Sequence, residues 1–235
     1  MRVGIIGSGF GLYGLLPAFN SIKGCEVVAI CGKKTERLVT YCGTISLTKM
    51  YSSWEKMLDE EKLDAVAIAV VPSAQYEIAK KAIKKGLHIF AEKPLTANYA
   101  QAKELLALAT KKKVTTVVDF IFPEIDEWQK AKQLLDSGVY GDIKHIGVTW
   151  NFLSYDIKNK ISSWKTDPKA GGGALSFYGS HVLYYLGYFG GEIAKTVSVF
   201  TYSDVSKNGG EVGVDSVITF KGGATGNLHV SCNTL

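Results

Sequence analysis

The chain has 235 residues, 46% of them hydrophobic, and a net charge of +5 from 27 basic and 22 acidic side chains. That balance excludes a disordered chain and provides for one large or two modest cores. The longest apolar runs, such as Ala65–Pro72, are too short to cross a bilayer.

The first half of the chain alternates between two periods. RVGIIG (2–7) is a short apolar run, and Leu12, Leu15, Leu16, Phe19 and Ile22 follow at helical spacing. CEVVAIC (25–31) reads as a second strand, and Thr35–Tyr41 as a short helix. Ser52-Ser53-Trp54-Glu55 opens another helix, with a capping serine ahead of an acidic residue. DAVAIAVV (64–71) is apolar on both faces, as a central parallel strand must be. A helix over 75–85, a strand over 87–91, a helix over 97–112 and the strand VTTVVDF (114–120) complete the half. This alternation predicts a doubly wound parallel sheet with helices on both faces, over residues 1–120.

After residue 120 the pattern changes. A helix near 125–137 ends at Gly138, and β-branched or alternating stretches cover 144–154, 194–203, 213–220 and 224–232, with a helix at 174–188 among them. Residues 121–235 therefore read as an α+β domain on a large, mostly antiparallel open sheet. NLHVSCNTL stops inside a strand pattern, so the sheet reads as truncated or as completed by another chain.

The surplus charge is almost wholly lysine, since Arg2 and Arg37 are the only arginines. Lys80, Lys81, Lys84 and Lys85, and the run 111–113, each close a helix, where cations suit the macrodipole. Neither group is interleaved with aromatics or base-reading arginine, which argues against a nucleic-acid partner. Cys25, Cys31, Cys42 and Cys232 lack ligand spacing and read as reduced structural thiols, with no metal site. MRVGIIGSGF has no signal-peptide pattern, so a cytoplasmic location without membrane partners is expected.

Between the first strand and first helix stand Gly7, Ser8, Gly9, Phe10 and Gly11. Gly7 permits a tight turn, Gly9 lets a pyrophosphate approach the backbone, and the helix start offers N–H groups to the anion. The spacing is GxGxG, with Leu12 in the third position of the commoner fingerprint. The second strand ends in AICGKKTER, with Gly32 where an acid would meet a free ribose 2′-hydroxyl. Lys33 and Lys34 follow it and suit a 2′-phosphate, which favours NADP, with NAD as the alternative.

IFAEKPL (89–95) places a lysine at the carboxyl end of the fifth strand, where ligands bind in such sheets. Pro94 holds Lys93 out of the helical region. An ammonium fixed there can hydrogen-bond a substrate oxygen and stabilise a developing alkoxide.

The glycine loop, AEKP and GGGALSFYGSH (171–181) together resemble the Gfo/Idh/MocA family, as do SSWEKML, the VVPS turn and LLDSGVYGDIKHIGV. The resemblance spans the chain. It implies a Rossmann domain, a second domain whose sheet forms a dimer or tetramer interface, and NAD(P)-dependent redox chemistry on sugars, cyclitols or nucleotide sugars. It also implies cofactor contacts from Pro72 and Glu92, an active-site role for Lys93, and acid/base duty for His181. An imidazole suits that duty near neutral pH. SSWKTDP (162–168) would line the substrate pocket through Trp164 and Lys165, with Tyr178 beside His181.

Three positions depart from the family pattern. Phe177 replaces the aspartate of DxxxH, Gln75 stands where histidine is frequent, and VDFIFPE (118–124) lacks the usual polar and arginine residues. A non-catalytic NAD(P)-binding regulator and an NAD-assisted glycosidase or epimerase are the alternatives to a dehydrogenase.

Overall fold

The computed structural model describes residues 1–204, 206 and 208–234. The chain divides into two compact units, Met1–Asp119 and Phe120–Leu235.

The first unit is a six-stranded sheet in the order β3-β2-β1-β4-β5-β6, every pairing parallel. Its strands are β1 (Arg2–Ile6), β2 (Glu26–Cys31), β3 (Met50–Tyr51), β4 (Ala65–Ile68), β5 (His88–Glu92) and β6 (Thr116–Asp119). This is the doubly wound order whose ligand crevice lies off the carboxyl ends of the strands, where the order reverses between β1 and β4. All four residues of β4 are buried, as the continuous apolar run required. The two-residue β3 escapes any periodicity argument; it pairs only with Ile30 and Cys31.

Helices α1 (Leu16–Ser21), α2 (Glu36–Thr44), α3 (Trp54–Glu60), α4 (Pro72–Lys84) and α5 (Tyr99–Lys112) belong to this unit. Their starts follow capping chemistry: Thr35, Ser53 and Asn98 each accept a backbone N–H two or three residues into the helix. Helix α4 begins at Pro72, three residues earlier than its apolar spacing indicated, because proline is preformed for the first helical position. Two apolar clusters, one on each sheet face, make the core. Ile68, Met57, Ile78 and Ile83 lie in one, and Val3, Ile5, Leu16 and Phe90 in the other.

The second unit carries a four-stranded sheet, β7-β10-β9-β8. These are β7 (His145–Asn151), β8 (Ile193–Thr201), β9 (Gly213–Phe220) and β10 (Thr225–Ser231). The pairs β8/β9 and β9/β10 are antiparallel, but β10/β7 is parallel, so the sheet is mixed. The long excursion between residues 151 and 225 supplies the crossover that a parallel pair needs. Helices α6 (Asp126–Asp136), α7 (Tyr155–Lys158) and α8 (Ser180–Gly190) accompany it. Val182 and Leu186 of α8 pack against Val214, Ile218, Leu228 and Val230, one face of the sheet. On the other face Val197, Val199 and Val217 are exposed.

Two helices begin with a π-helical turn, Gly11–Leu15 before α1 and Leu175–Gly179 before α8. Such turns absorb an extra residue and gather at functional sites.

Ile68 is wholly buried in the central strand of the first unit. Ile68→Ala should destabilise it by about 2–5 kcal/mol, read from the urea midpoint of that unit's transition.

Candidate functional site

At the carboxyl end of β1, Gly7 has φ +126°, and a Cβ on it would lie 2.2 Å from the Ala69 carbonyl oxygen, so only glycine passes there. Its N–H donates to the Cys31 carbonyl, tying the turn to β2. Gly9 is exposed, and a Cβ built on it meets nothing within 4 Å. The space above Gly9 is therefore an open cradle on the backbone, bounded by the helix start that follows. The Leu12 and Tyr13 N–H groups close onto Gly9 O, and the Leu16 N–H bonds Gly11 O across the π turn. The π turn takes up the shifted GxGxG spacing and lets Leu12 enter the core. Phe10 contributes backbone rather than a reaching side chain: its ring lies beside Gly14 and meets Tyr13 edge-on at 5.6 Å.

Ser8 touches the next crossover. A Cβ at Gly32 would sit 2.6 Å from Ser8 Cβ, so this position cannot take the acidic side chain that meets a free ribose. Lys33 and Lys34 are exposed immediately after it. The structure thus brings Gly7, Ser8, Gly9, Gly11 and the Gly32–Lys34 loop together. This open cradle fits the pyrophosphate of a dinucleotide, and the lysine loop fits the adenosine end.

Beyond β5 the chain turns through Lys93 and a cis Lys93–Pro94 bond. The residue that fixes this turn is Gln75, fully buried on α4 three residues past Pro72. Its Nε2 donates to the carbonyls of Glu92 and Pro94 at 2.9 Å and of Leu95 at 3.2 Å, bracketing Lys93 on both sides. Sequence reasoning noted Gln75 only as a departure; a polar side chain on the buried stripe of an amphipathic helix was the available signal.

Glu92 and Asp119 are register partners at the ends of β5 and β6, so their side chains share one sheet face. Register thus sets the two carboxyl groups side by side at the strand ends. Burial and then the neighbouring Asp119 push Glu92 up to about 7, while Lys93 pulls the other way. Burial also raises Asp119 above its ordinary value. Neighbouring carboxyl groups in a half-buried site disfavour the doubly ionised form. Asp119 was not anticipated, because register is invisible until strands are paired.

In the second unit, His181 is buried near the start of α8 within a cage of rings. Phe122 and Phe120 meet the imidazole edge-on at 5.3 and 5.8 Å, and Trp150 and Tyr185 lie 6.2 Å away. Tyr178 turns elsewhere: it packs on Phe152 and Phe177 at 4.5 Å and faces a small cavity lined in part by Asp156, Lys165 and Glu211. Burial foremost, then Cys232 and Asp156, push the Tyr178 phenol up to about 12, so it acts only as a neutral hydroxyl.

Trp164 and Lys165 converge on Phe177. The indole meets its ring at 5.3 Å and 79°, and the Lys165 ammonium stands 5.0 Å over its face. Phe177 lies in the π turn and His181 in the helix that follows, and Tyr178 and Trp150 link the rings around the two. The glycine run is explained by packing. A Cβ at Gly172 would sit 2.1 Å from the Trp164 carbonyl, and one at Gly173 2.3 Å from the Glu211 carboxylate. Glu211 in turn accepts the Leu175 N–H, placing a negative charge at a helix start.

Residues 1–120 match the family model GFO_IDH_MocA, an oxidoreductase family with an NAD-binding Rossmann fold, and residues 128–235 match the GFO/IDH/MocA C-terminal domain. An uncharacterised oxidoreductase of Synechocystis is 33% identical over 186 residues, 79% of this chain and 50% of the relative. A D-xylose 1-dehydrogenase (NADP(+)) of Haloferax volcanii is 25% identical over 235 residues, covering 100% of this chain and 70% of its own. Among solved structures, the WlbA dehydrogenase of Bordetella pertussis in complex with NADH and UDP-GlcNAcA aligns with TM-score 0.88 at 19% identity, over 100% of this chain and 73% of that one. The chain thus spans half the length of the Synechocystis relative.

Replacing Gln75 by leucine removes the donor to three carbonyls. It should cost about 1–3 kcal/mol and speed hydrogen exchange in the segment around residues 92–96 more than elsewhere. Glu92 binds its proton more tightly in the folded chain than at its ordinary 4.5. Its stabilising contribution is therefore complete below that value and is lost as pH rises through about 7. Asp119→Asn should flatten that fall in stability, measured by thermal unfolding from pH 4 to 8.

Proposed function

This chain belongs to the GFO/IDH/MocA oxidoreductase family, and we propose that it acts as an NAD(P)-dependent oxidoreductase on an alcohol or carbonyl of a sugar or nucleotide sugar. The observation that carries this reading is the pairing, in one sheet, of an open glycine cradle after β1 with a lysine held rigidly after β5. Both lie off the carboxyl ends of parallel strands, where such folds bind ligands. The chemistry a bound dinucleotide supplies is hydride exchange at its nicotinamide.

Gly7, Gly9 and Gly11 shape the backbone for the pyrophosphate, with Ser8 and Phe10 contributing main chain. Pro72 starts α4 over the same crevice, and Glu92 lies at its far end. Lys93 donates a hydrogen bond to the reacting oxygen and stabilises its negative charge, as an ammonium in a fixed position does. His181 is the acid/base candidate of the second unit, since an imidazole exchanges a hydroxyl proton near neutral pH. Trp164, Lys165 and Tyr178 border the substrate region of the second unit, with Lys165 the cation for a hydroxyl or phosphate.

For the cofactor, the reading is NADP ahead of NAD. Its support is the crowded Gly32, which excludes an acid, and the exposed ammonium groups of Lys33 and Lys34. The NADP(+) in the name of the Haloferax relative points the same way, and the NADH bound to the Bordetella structure keeps NAD as the alternative. The sugar class rests on the same two proteins. An exposed apolar sheet face around Val197, Val199 and Val217 suits a homo-oligomer interface.

A fluorescence titration with NADPH and NADH tests the reading first. Tighter NADPH binding, weakened in Lys33→Ala and Lys34→Ala, is the expected result; binding of neither overturns it. Lys93→Ala should lower kcat/KM by about 10²–10³-fold with cofactor affinity retained. Unchanged turnover would remove Lys93 from the chemistry. Full activity of His181→Ala across pH 6–9 would do the same for the histidine.

A further inference from the structure

Glu92 follows Phe90 at the strand period of two, and Phe90 packs edge-on against Phe19 of α1 at 5.4 Å. Glu92 and its partner Asp119 therefore share the α1 face of the sheet, the face whose helix begins at the glycine loop. They stand at the strand ends farther from β2 than β1 and β4 are. The glycine loop and the Lys33–Lys34 loop would hold the phosphate-bearing end of a dinucleotide over β1 and β2, which would leave the strand ends of β5 and β6 for its nicotinamide end.

The neighbourhood of the pair holds few other charges. The flanking strand β4 (AVAI) and helix α1 (LPAFNS) carry none, and the loop Ser8–Gly11 carries none. Lys93, next in the chain, is the cation acting on both carboxyl groups within this unit.

We propose that Glu92 and Asp119 are a proton-sharing carboxyl pair that senses the redox state of the nicotinamide, giving up their shared proton when the oxidised dinucleotide binds and keeping it with the reduced one. This rests on the dinucleotide reading above. The oxidised ring carries one more positive charge than the reduced ring. In a half-buried crevice that charge favours the fully ionised pair, while an uncharged ring leaves two adjacent carboxylates to repel each other. The released proton goes to solvent, and no bond of the substrate changes. By linkage, affinity for the oxidised cofactor relative to the reduced one must rise with pH through the pair's titration. Asp119 is thus a positioning and charge-setting residue, absent from the glycine and AEKP motifs.

The test is a calorimetric titration of the full chain with NADP⁺ and with NADPH, from pH 6 to 8.5 at constant salt. The expected result is a Kd ratio that moves toward NADP⁺ by several-fold over this range, within a limit of about tenfold per pH unit. NADP⁺ binding should release a fraction of a proton, read from buffers of different ionisation enthalpy. Asp119→Asn and Glu92→Gln should each flatten the ratio, while His181→Ala keeps its slope. A flat ratio in the unsubstituted chain with both cofactors bound overturns the pair's role but not the cofactor reading. Binding of neither cofactor overturns both. A slope surviving in Asp119→Asn, or lost in His181→Ala, assigns the proton elsewhere. Should the variants fail to fold, carboxyl ¹³C titration of the unsubstituted chain decides: two resonances moving together near neutrality support the pair, and both titrating below pH 5 overturn it.

Discussion

Where β5 leaves the sheet, the backbone must turn away from its ladder while still inside the protein, and its carbonyl oxygens need donors. One side-chain amide meets that need. Gln75 places its Nε2 within 3.2 Å of three carbonyls around Lys93, and buried groups of this kind are rarely left unmade. The position of Gln75 is fixed by α4, α4 starts at Pro72, and the chain reaches Pro72 directly from β4, the most deeply buried strand. Lys93 thereby inherits its place from the core. The amide is also neutral at every physiological pH, so the clamp does not loosen with protonation.

The electrostatics of the crevice divide along the sheet. Over β1 and β2 the features are backbone amides and two exposed lysines, suited to phosphate. At the ends of β5 and β6 stand two carboxyl groups and one ammonium. Desolvation penalises two like charges together, so a proton is retained where a single carboxylate would have lost it. Parallel register produces this directly: residues opposite each other in adjacent strands point the same way, and the strand ends at Glu92 and Asp119 coincide.

Much of the first unit was legible because its forces are local in sequence. Continuous apolar runs reported buried strands, Ser53 marked a helix start, and Gly7 required its turn. The lysine after β5 was legible for the same reason, since strand, lysine and proline are consecutive. What escaped depends on pairing across the chain. The strand β3 exists only as an edge partner of β2, the parallel β10/β7 pair joins residues far apart, and Asp119 acquires meaning only beside Glu92. Both π turns escaped as well, because a period of 3.6 fits their apolar residues almost as well and only the hydrogen bonds differ.

Phe177 shows what a departure from a motif can mean physically. An aspartate before the histidine would act by charge. The phenyl ring here is held instead by Trp164, Tyr178 and the ammonium of Lys165, a cation meeting the face of a ring. Around the His181 imidazole, Phe120 and Phe122 stand edge-on and Tyr185 lies nearly parallel. Tyr178 and Tyr185, both raised by burial, stay neutral hydroxyls. In the first unit, burial and the neighbouring Asp119 raise the Glu92 carboxyl to about 7.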